Sequence, residues 1–322
     1  AKGWVQEAVD QLTEAAESNP ESAAIRLALA DLLRSRGLYD PANAALRQAA
    51  RVAGPDPELL QRISKALIDS GDHEAARPVL QRILKMVPDS WDAGLALADV
   101  ELALGQHGPA KEILQSLVTR QEASAEAHYR LSRLHLQEGE PQAALESATK
   151  AVALDPDSAP IRAHRAKVLA KCGAVSQALP EAQRAVELGQ DDPEAVATLA
   201  GLLSASGRLH DALSWYRHAT ELSPGNARLW ADKGRLALQL DDPEQAAEAL
   251  TRAIEISPSR EYLDLASQAL DRAGRLEPAI EMARRSLELE PDCEDTRLNL
   301  GRLLRRARRL SEAADALQVE AE

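Results

Sequence analysis

The chain has 322 residues, a formal net charge of −13 and only 2% aromatic residues, with no Phe at all. An acidic balance of this size excludes general nucleic-acid binding, which needs a basic face to neutralise phosphates. The scarcity of aromatic residues argues against a β-sandwich or barrel, and the abundance of Ala, Leu, Arg and Glu favours an all-α chain.

Arg outnumbers Lys by 30 to 8, which together with the Ala content points to a GC-rich bacterial source. Cys172 and Cys293 stand apart, with no CxxC or Cys/His cluster, so neither a zinc site nor a redox motif is present. No apolar run is long enough to span a bilayer and no signal peptide is visible. Cytoplasm and periplasm are both compatible with that, the cytoplasm being favoured.

The first predicted element is a helix over 4–18, inside a leading segment, 1–20, that reads as the second helix of a truncated repeat. From residue 23 to 322 one pattern recurs. Gly3, Gly37, Gly71, Gly105, Gly139, Gly173 and Gly207 fall 34 residues apart, and Asp241, Gly274 and Arg308 continue the series. Five residues after each of these turns stands an alanine, ten times from Ala8 to Ala313, which predicts a helix crossing tight enough to admit only a methyl group. Eight residues before the turn stand Leu29, Ile63, Leu97, Leu131, Leu199 and Leu300, with Arg165, Lys233 and Ala266 as departures. Seventeen residues after it, Pro20, Pro88, Pro156, Pro224, Pro258 and Pro291 stop the second helix, because proline has no N–H to donate. Each repeat is therefore predicted as helix, Gly turn, helix and polar linker. Nine repeats begin near 23, 57, 91, 125, 159, 193, 227, 260 and 294, forming a single array to residue 322.

This pattern resembles the tetratricopeptide repeat (TPR) family. The closest single match is Trp230, Lys233, Gly234, Ala246, Leu250 and Pro258, with Lys233 in a slot that the family fills with Leu and Ala237 in its Tyr slot. Nine matches in register cover nearly the whole chain. The resemblance implies an all-α, right-handed superhelical solenoid of antiparallel helix pairs, with first helices lining a concave groove. It further implies a non-catalytic scaffold that binds a peptide or protein in that groove.

On the resemblance's assignment of first helices to the groove, the candidate partner-binding residues are Tyr129, Arg130, Arg133, Gln137, His164, Lys167, Lys171, Arg228, Arg235, Asn299, Arg302, Arg305 and Arg306. They make a locally basic stripe suited to an acidic partner, interrupted by Asp31, Asp99, Asp232 and Asp264. The carboxylates in the first turns, Glu58, Asp92, Glu126, Glu194, Glu261 and Asp295, are expected to serve the helix dipole. The run from Arg302 to Arg309 reads equally as a docking site or as a solvated helix end. Some TPR proteins clamp chaperone tails with paired asparagines on consecutive first helices; here only Asn299 is suitably placed.

Glu101 and His135, in a usually apolar slot, are expected to point to solvent. Trp215 and Tyr216 are expected in the core, and Trp91 partly exposed. Both cysteines are expected to be free thiols. The linker Gln121–Ser124 lacks the usual proline and marks a weak junction.

No phosphate loop, HExxH, GxSxG or paired catalytic carboxylates appear, and His128 and His135 are not at metal-ligand spacing. No enzymatic activity, metal or cofactor is therefore expected of this chain. Two further readings stay open: a substrate-recruiting module of a larger bacterial sulfotransferase or glycosyltransferase, and a component of an envelope polysaccharide or secretion apparatus. Self-association through the repeat ends is a third way the surface could be used.

Overall fold

The computed structural model describes residues 2–119 and 124–317, with side chains from residue 7 onward. Among these residues there are nineteen α-helices and no strand. The chain divides into two compact units, residues 1–154 and 155–322. In the N-terminal unit a leading helix, α1 (Lys2–Ser18), is followed by four helix pairs. They are α2 (Ala23–Ser35) with α3 (Tyr39–Val52), α4 (Pro57–Asp69) with α5 (His73–Met86), α6 (Trp91–Ala103) with α7 (His107–Val118), and α8 (Ala125–Gln137) with α9 (Pro141–Leu154). The C-terminal unit has five pairs. These are α10 (Ala159–Lys171) with α11 (Val175–Leu188), α12 (Pro193–Ala205) with α13 (Leu209–Leu222), α14 (Ala227–Gln239) with α15 (Pro243–Ile256), α16 (Arg260–Arg272) with α17 (Leu276–Leu289), and α18 (Glu294–Arg306) with α19 (Leu310–Leu317). Within each unit every helix packs chiefly on its sequence neighbours, so the core is continuous but local, as in other stacked repeats.

Local chemistry starts and stops many of these helices. Ser22, Asp56, Ser90, Ser124, Asp192, Asn226 and Ser259 each accept a backbone N–H of the first turn that follows, satisfying donors that the helix itself cannot. At the other end of the first helices the glycines adopt left-handed backbone, with Gly37 at φ 75° and Gly207 at φ 79°. The Gly37 N–H donates to the Arg34 carbonyl and the Leu38 N–H reaches back to the Leu33 carbonyl, which closes the helix end. Asp241 (φ 57°) and Arg308 (φ 59°) hold the same conformation without being glycine.

The alanines five residues after the turns are fully buried from Ala42 to Ala279, and Ala313 is buried as well; Ala8 is only half-buried. Their partner slot, seven residues before the turn, always holds Ala, Ser or Gly and is buried throughout. The closeness is measurable. A Cβ added at Gly234 would meet Leu250 Cγ at 2.6 Å, and one at Gly301 would meet Leu317 at 2.8 Å. In three repeats that slot carries serine: Ser132 and Ser267 donate across the crossing, to the Ala144 (2.7 Å) and Ala279 (2.9 Å) carbonyls, whereas Ser64 donates to the Gln61 carbonyl (2.9 Å) of its own helix.

Several expectations are corrected here. Glu101 and His135 do not point to solvent; both are buried. Glu101 is neutralised by Arg77 Nε at 3.0 Å, and His135 Nδ1 lies 2.6 Å from Glu140, as burial of polar groups requires. Tyr216 is in the core, but its neighbour Trp215 is only half-buried, because adjacent helical residues point about 100° apart. Leu29 is half-buried, unlike Ile63, Leu97, Leu131, Leu199 and Leu300 in the same slot, which are buried, and Trp91 is half-buried, as expected, against the core of α6, α7 and α8. Residues 121–123 of the linker lie outside the described residues; Ser124 caps α8. Both cysteines are free thiols.

Candidate functional site

Of the candidate groove residues, Tyr129, Arg130, Arg133 and Gln137 belong to α8 of the N-terminal unit. Arg130 is engaged from three sides: its Nε with Glu126 (2.6 Å), and its Nη1 with the Leu95 carbonyl (3.1 Å) and with Asp99. Arg133 is exposed and lies over the half-buried Tyr129 ring, 5.6 Å from its centroid, a cation–π arrangement. Gln137 is exposed. Beside them on α6 and α8, Leu95, Leu102 and Leu136 are half-exposed. This face of the unit therefore offers apolar area next to the Tyr129–Arg133 pair. Burial raises the Asp99 carboxyl above the usual range, although Arg130 opposes the shift.

The remaining candidates belong to the C-terminal unit, and most are held by carboxylates. Lys167 Nζ lies 2.6 Å from Glu194 on the next first helix, and Arg235 lies 2.6 Å from Glu261 on the next again. Arg235 also holds Asp232 (2.7 Å), which lies 3.9 Å from the exposed Arg228. Asn299 donates to Ser267 Oγ (3.2 Å) and accepts from Arg302 (2.9 Å), while Arg302 (3.1 Å) and Arg306 both hold the buried Asp271. Lys171 and Arg305 are exposed and make no ion pair among the described residues. His164 is not on the surface at all, being 5% exposed.

The basic stripe expected from residue types is thus, in large part, one side of an inter-repeat charge ladder. Glu194 and Glu261, whose first-turn position suits the helix dipole, have this second role. The signal was present in the spacing: Lys167 to Glu194 and Arg235 to Glu261 occupy equivalent slots of successive repeats. Exposed pairs of this kind contribute at most about 1 kcal/mol each, so the ladder sets the charge of the face more than its stability. It also means that the run from Arg302 to Arg309 is not a free cationic patch, since Arg309 pairs with Glu277 (3.0 Å) and Glu312 (2.6 Å).

One group has the makings of a metal site. His135, Glu138 and Glu140 bring ligand atoms within 4.8 Å of one another. Lys111 Nζ, however, already lies 2.6 Å from Glu138 and 3.1 Å from Glu140, and an ammonium there supplies the charge that a metal would. Hydrogen bonds from His135 and then Lys111 hold the Glu140 carboxyl below the usual range. No helix among the described residues is long and apolar enough to cross a membrane.

Comparison with known proteins agrees with this architecture. Two family models, each described as tetratricopeptide repeat, match the chain: one over residues 67–134, 135–203 and 203–269, the other over 2–57 and 265–322. No curated protein matches the sequence. Among solved structures, a tetratricopeptide repeat protein of Parabacteroides merdae is similar, with 15% identity and a TM-score of 0.58, covering 78% of this chain and 100% of that one. The pilF protein of Pseudomonas aeruginosa is similar at 21% identity and a TM-score of 0.53, covering 60% and 88%. MamA of Desulfovibrio magneticus matches at 20% identity over 49% and 90%, with a TM-score of 0.46. At these identities the solved structures show the fold alone, whereas the repeat models account for most of the sequence: the chain belongs to the tetratricopeptide repeat family.

Proposed function

We propose that the chain is a non-catalytic scaffold that binds a peptide or protein segment along the face lined by its first helices. The observation that supports this is the surface of α6 and α8. There Leu95, Leu102, Tyr129 and Leu136 leave apolar area open beside Arg133, which lies over the Tyr129 ring and makes no ion pair among the described residues. A segment with apolar side chains and a carboxylate fits that chemistry: the apolar groups are removed from water, and the carboxylate takes a charge-assisted bond from Arg133. In the C-terminal unit, Lys171, Arg228 and Arg305 are the cations most available to a partner. Arg130, Lys167, Arg235, Arg302 and Arg306 join a partner only by exchanging an internal carboxylate for an external one.

The test uses an array of acidic–apolar peptides, probed with the wild type, Arg133→Glu and Tyr129→Ala. Peptides held by the wild type are expected to be released by both variants, with helical content unchanged. Equal affinity in all three would remove this face from the function. Arg130→Glu is a poorer probe, because it would also break the contacts to Asp99 and Glu126.

A further inference from the structure

On the side of the C-terminal unit formed by the second helices, α13, α15 and α17 together with α14 and α16 line an open cleft of about 1010 Å³. Lys233 lines it. In six other repeats this slot holds Leu or Ile and is occupied by core packing in all but the first. Here the ammonium lies 4.9 Å from the centroid of the Trp230 ring and, among the described residues, makes no ion pair or hydrogen bond. Two further cations that line the cleft, Arg217 and Arg285, also lack a carboxylate partner among the described residues. The acidic residues of the lining are mostly engaged: Glu244 faces Arg275 at 3.9 Å and Glu255 faces Arg252 at 2.9 Å. Glu248 lies within electrostatic range of Lys233 but forms no ion pair with it.

A cationic centre of this kind is unusual on a chain of net charge −13. Lys233 is half-buried, and an ammonium that loses part of its water without gaining a counter-ion costs stability. Burial, and next the like charge of Arg217, lower the Lys233 ammonium below its ordinary range, against the pull of Glu248 and Glu221. An oxyanion seated between Lys233 and Arg217 would relieve both effects at once, since guanidinium and ammonium groups are the usual donors to phosphate and carboxylate. The cleft is larger than such a group alone, and Ile254, Leu270 and Met282 line it too.

We infer that the cleft around Lys233 is a binding site for a small ligand with an oxyanion head, phosphate or carboxylate, and an apolar body. It is separate from the first-helix face and does not depend on that face having the role proposed above.

The probes are inorganic phosphate and acetate, each titrated against the whole chain while the melting midpoint is followed, with chloride at equal ionic strength as control. The wild type should be stabilised by at least one of the two anions beyond the chloride response; which one responds identifies the head group. Lys233→Leu restores the residue found in sister repeats, so it should melt above the wild type yet lose the anion response. Arg217→Gln, at an exposed position, should need roughly tenfold more anion, the equivalent of one charge-assisted hydrogen bond, and stands as the test if Lys233→Leu does not fold. No response to either anion beyond chloride, or a response that survives in both variants, would overturn the inference.

Discussion

Glycines occupy two kinds of position in this fold, and replacing one of each with alanine separates backbone strain from packing. Gly207 closes a first helix at φ 79°, and an added Cβ there would meet nothing within 4 Å. Any loss in Gly207→Ala is therefore conformational. Left-handed backbone costs an L-residue about 1–2 kcal/mol, and the less flexible unfolded chain returns about 0.4–1 kcal/mol, so the net loss is about 1 kcal/mol. Gly234 has ordinary helical backbone, where alanine is intrinsically better by about 1 kcal/mol. Its Cβ, however, would stand 2.6 Å from Leu250 Cγ and 3.2 Å from the Ala246 carbonyl, and overpacking of this kind costs about 1–3 kcal/mol. Gly234→Ala therefore loses stability despite its propensity. Asp241→Gly reverses the first case. It relieves a φ of 57° at a residue type that tolerates the conformation better than most, and gains about 0.5 kcal/mol. Guanidinium unfolding followed by tryptophan fluorescence reads all three as midpoint shifts at constant slope. The account is wrong if Gly207→Ala leaves the midpoint in place, or if Asp241→Gly lowers it.

Ala144 and Ala178 are both fully buried at helix crossings, so enlarging either to Leu should cost about 1–3 kcal/mol; unchanged melting curves would contradict the close approach of the paired helices. His128 is buried, and burial, followed by Lys150, lowers its pKa below 6.5. Because the unfolded chain takes up a proton near 6.5 and the folded chain resists it, this stabilisation is present above that pH and is lost as pH falls through the folded value. The melting midpoint should drop between about pH 7 and pH 5, less steeply in His128→Leu; equal slopes in the two proteins would assign the pH dependence elsewhere.

Helices, turns and crossings were legible in the sequence because each depends on chemistry within one repeat. The glycine spacing reports a left-handed turn that most other residues resist, and the alanine slot reports a crossing too close for larger side chains. The same local logic explains why Asp241 and Arg308 could be placed at turns although neither is glycine. Side-chain partnership was less legible, because it is decided between repeats. Glu101 and His135 looked like solvent-facing polar residues until Arg77, from the preceding repeat, and Glu140, from the turn that follows α8, supplied the partners that make burial tolerable. Arg130, Lys167, Arg235, Arg302 and Arg306 looked like a free basic stripe, yet each also holds a carboxylate 26–35 residues away in the chain, which only stacking brings to within bonding distance. Lys233 stood out in sequence merely as a departure from pattern; the packing of α13, α15 and α17 around it turned that departure into a cationic cleft. Periodicity is a property of one helix and survives in the linear order of residues, whereas electrostatic pairing depends on distances through space that tertiary packing alone creates.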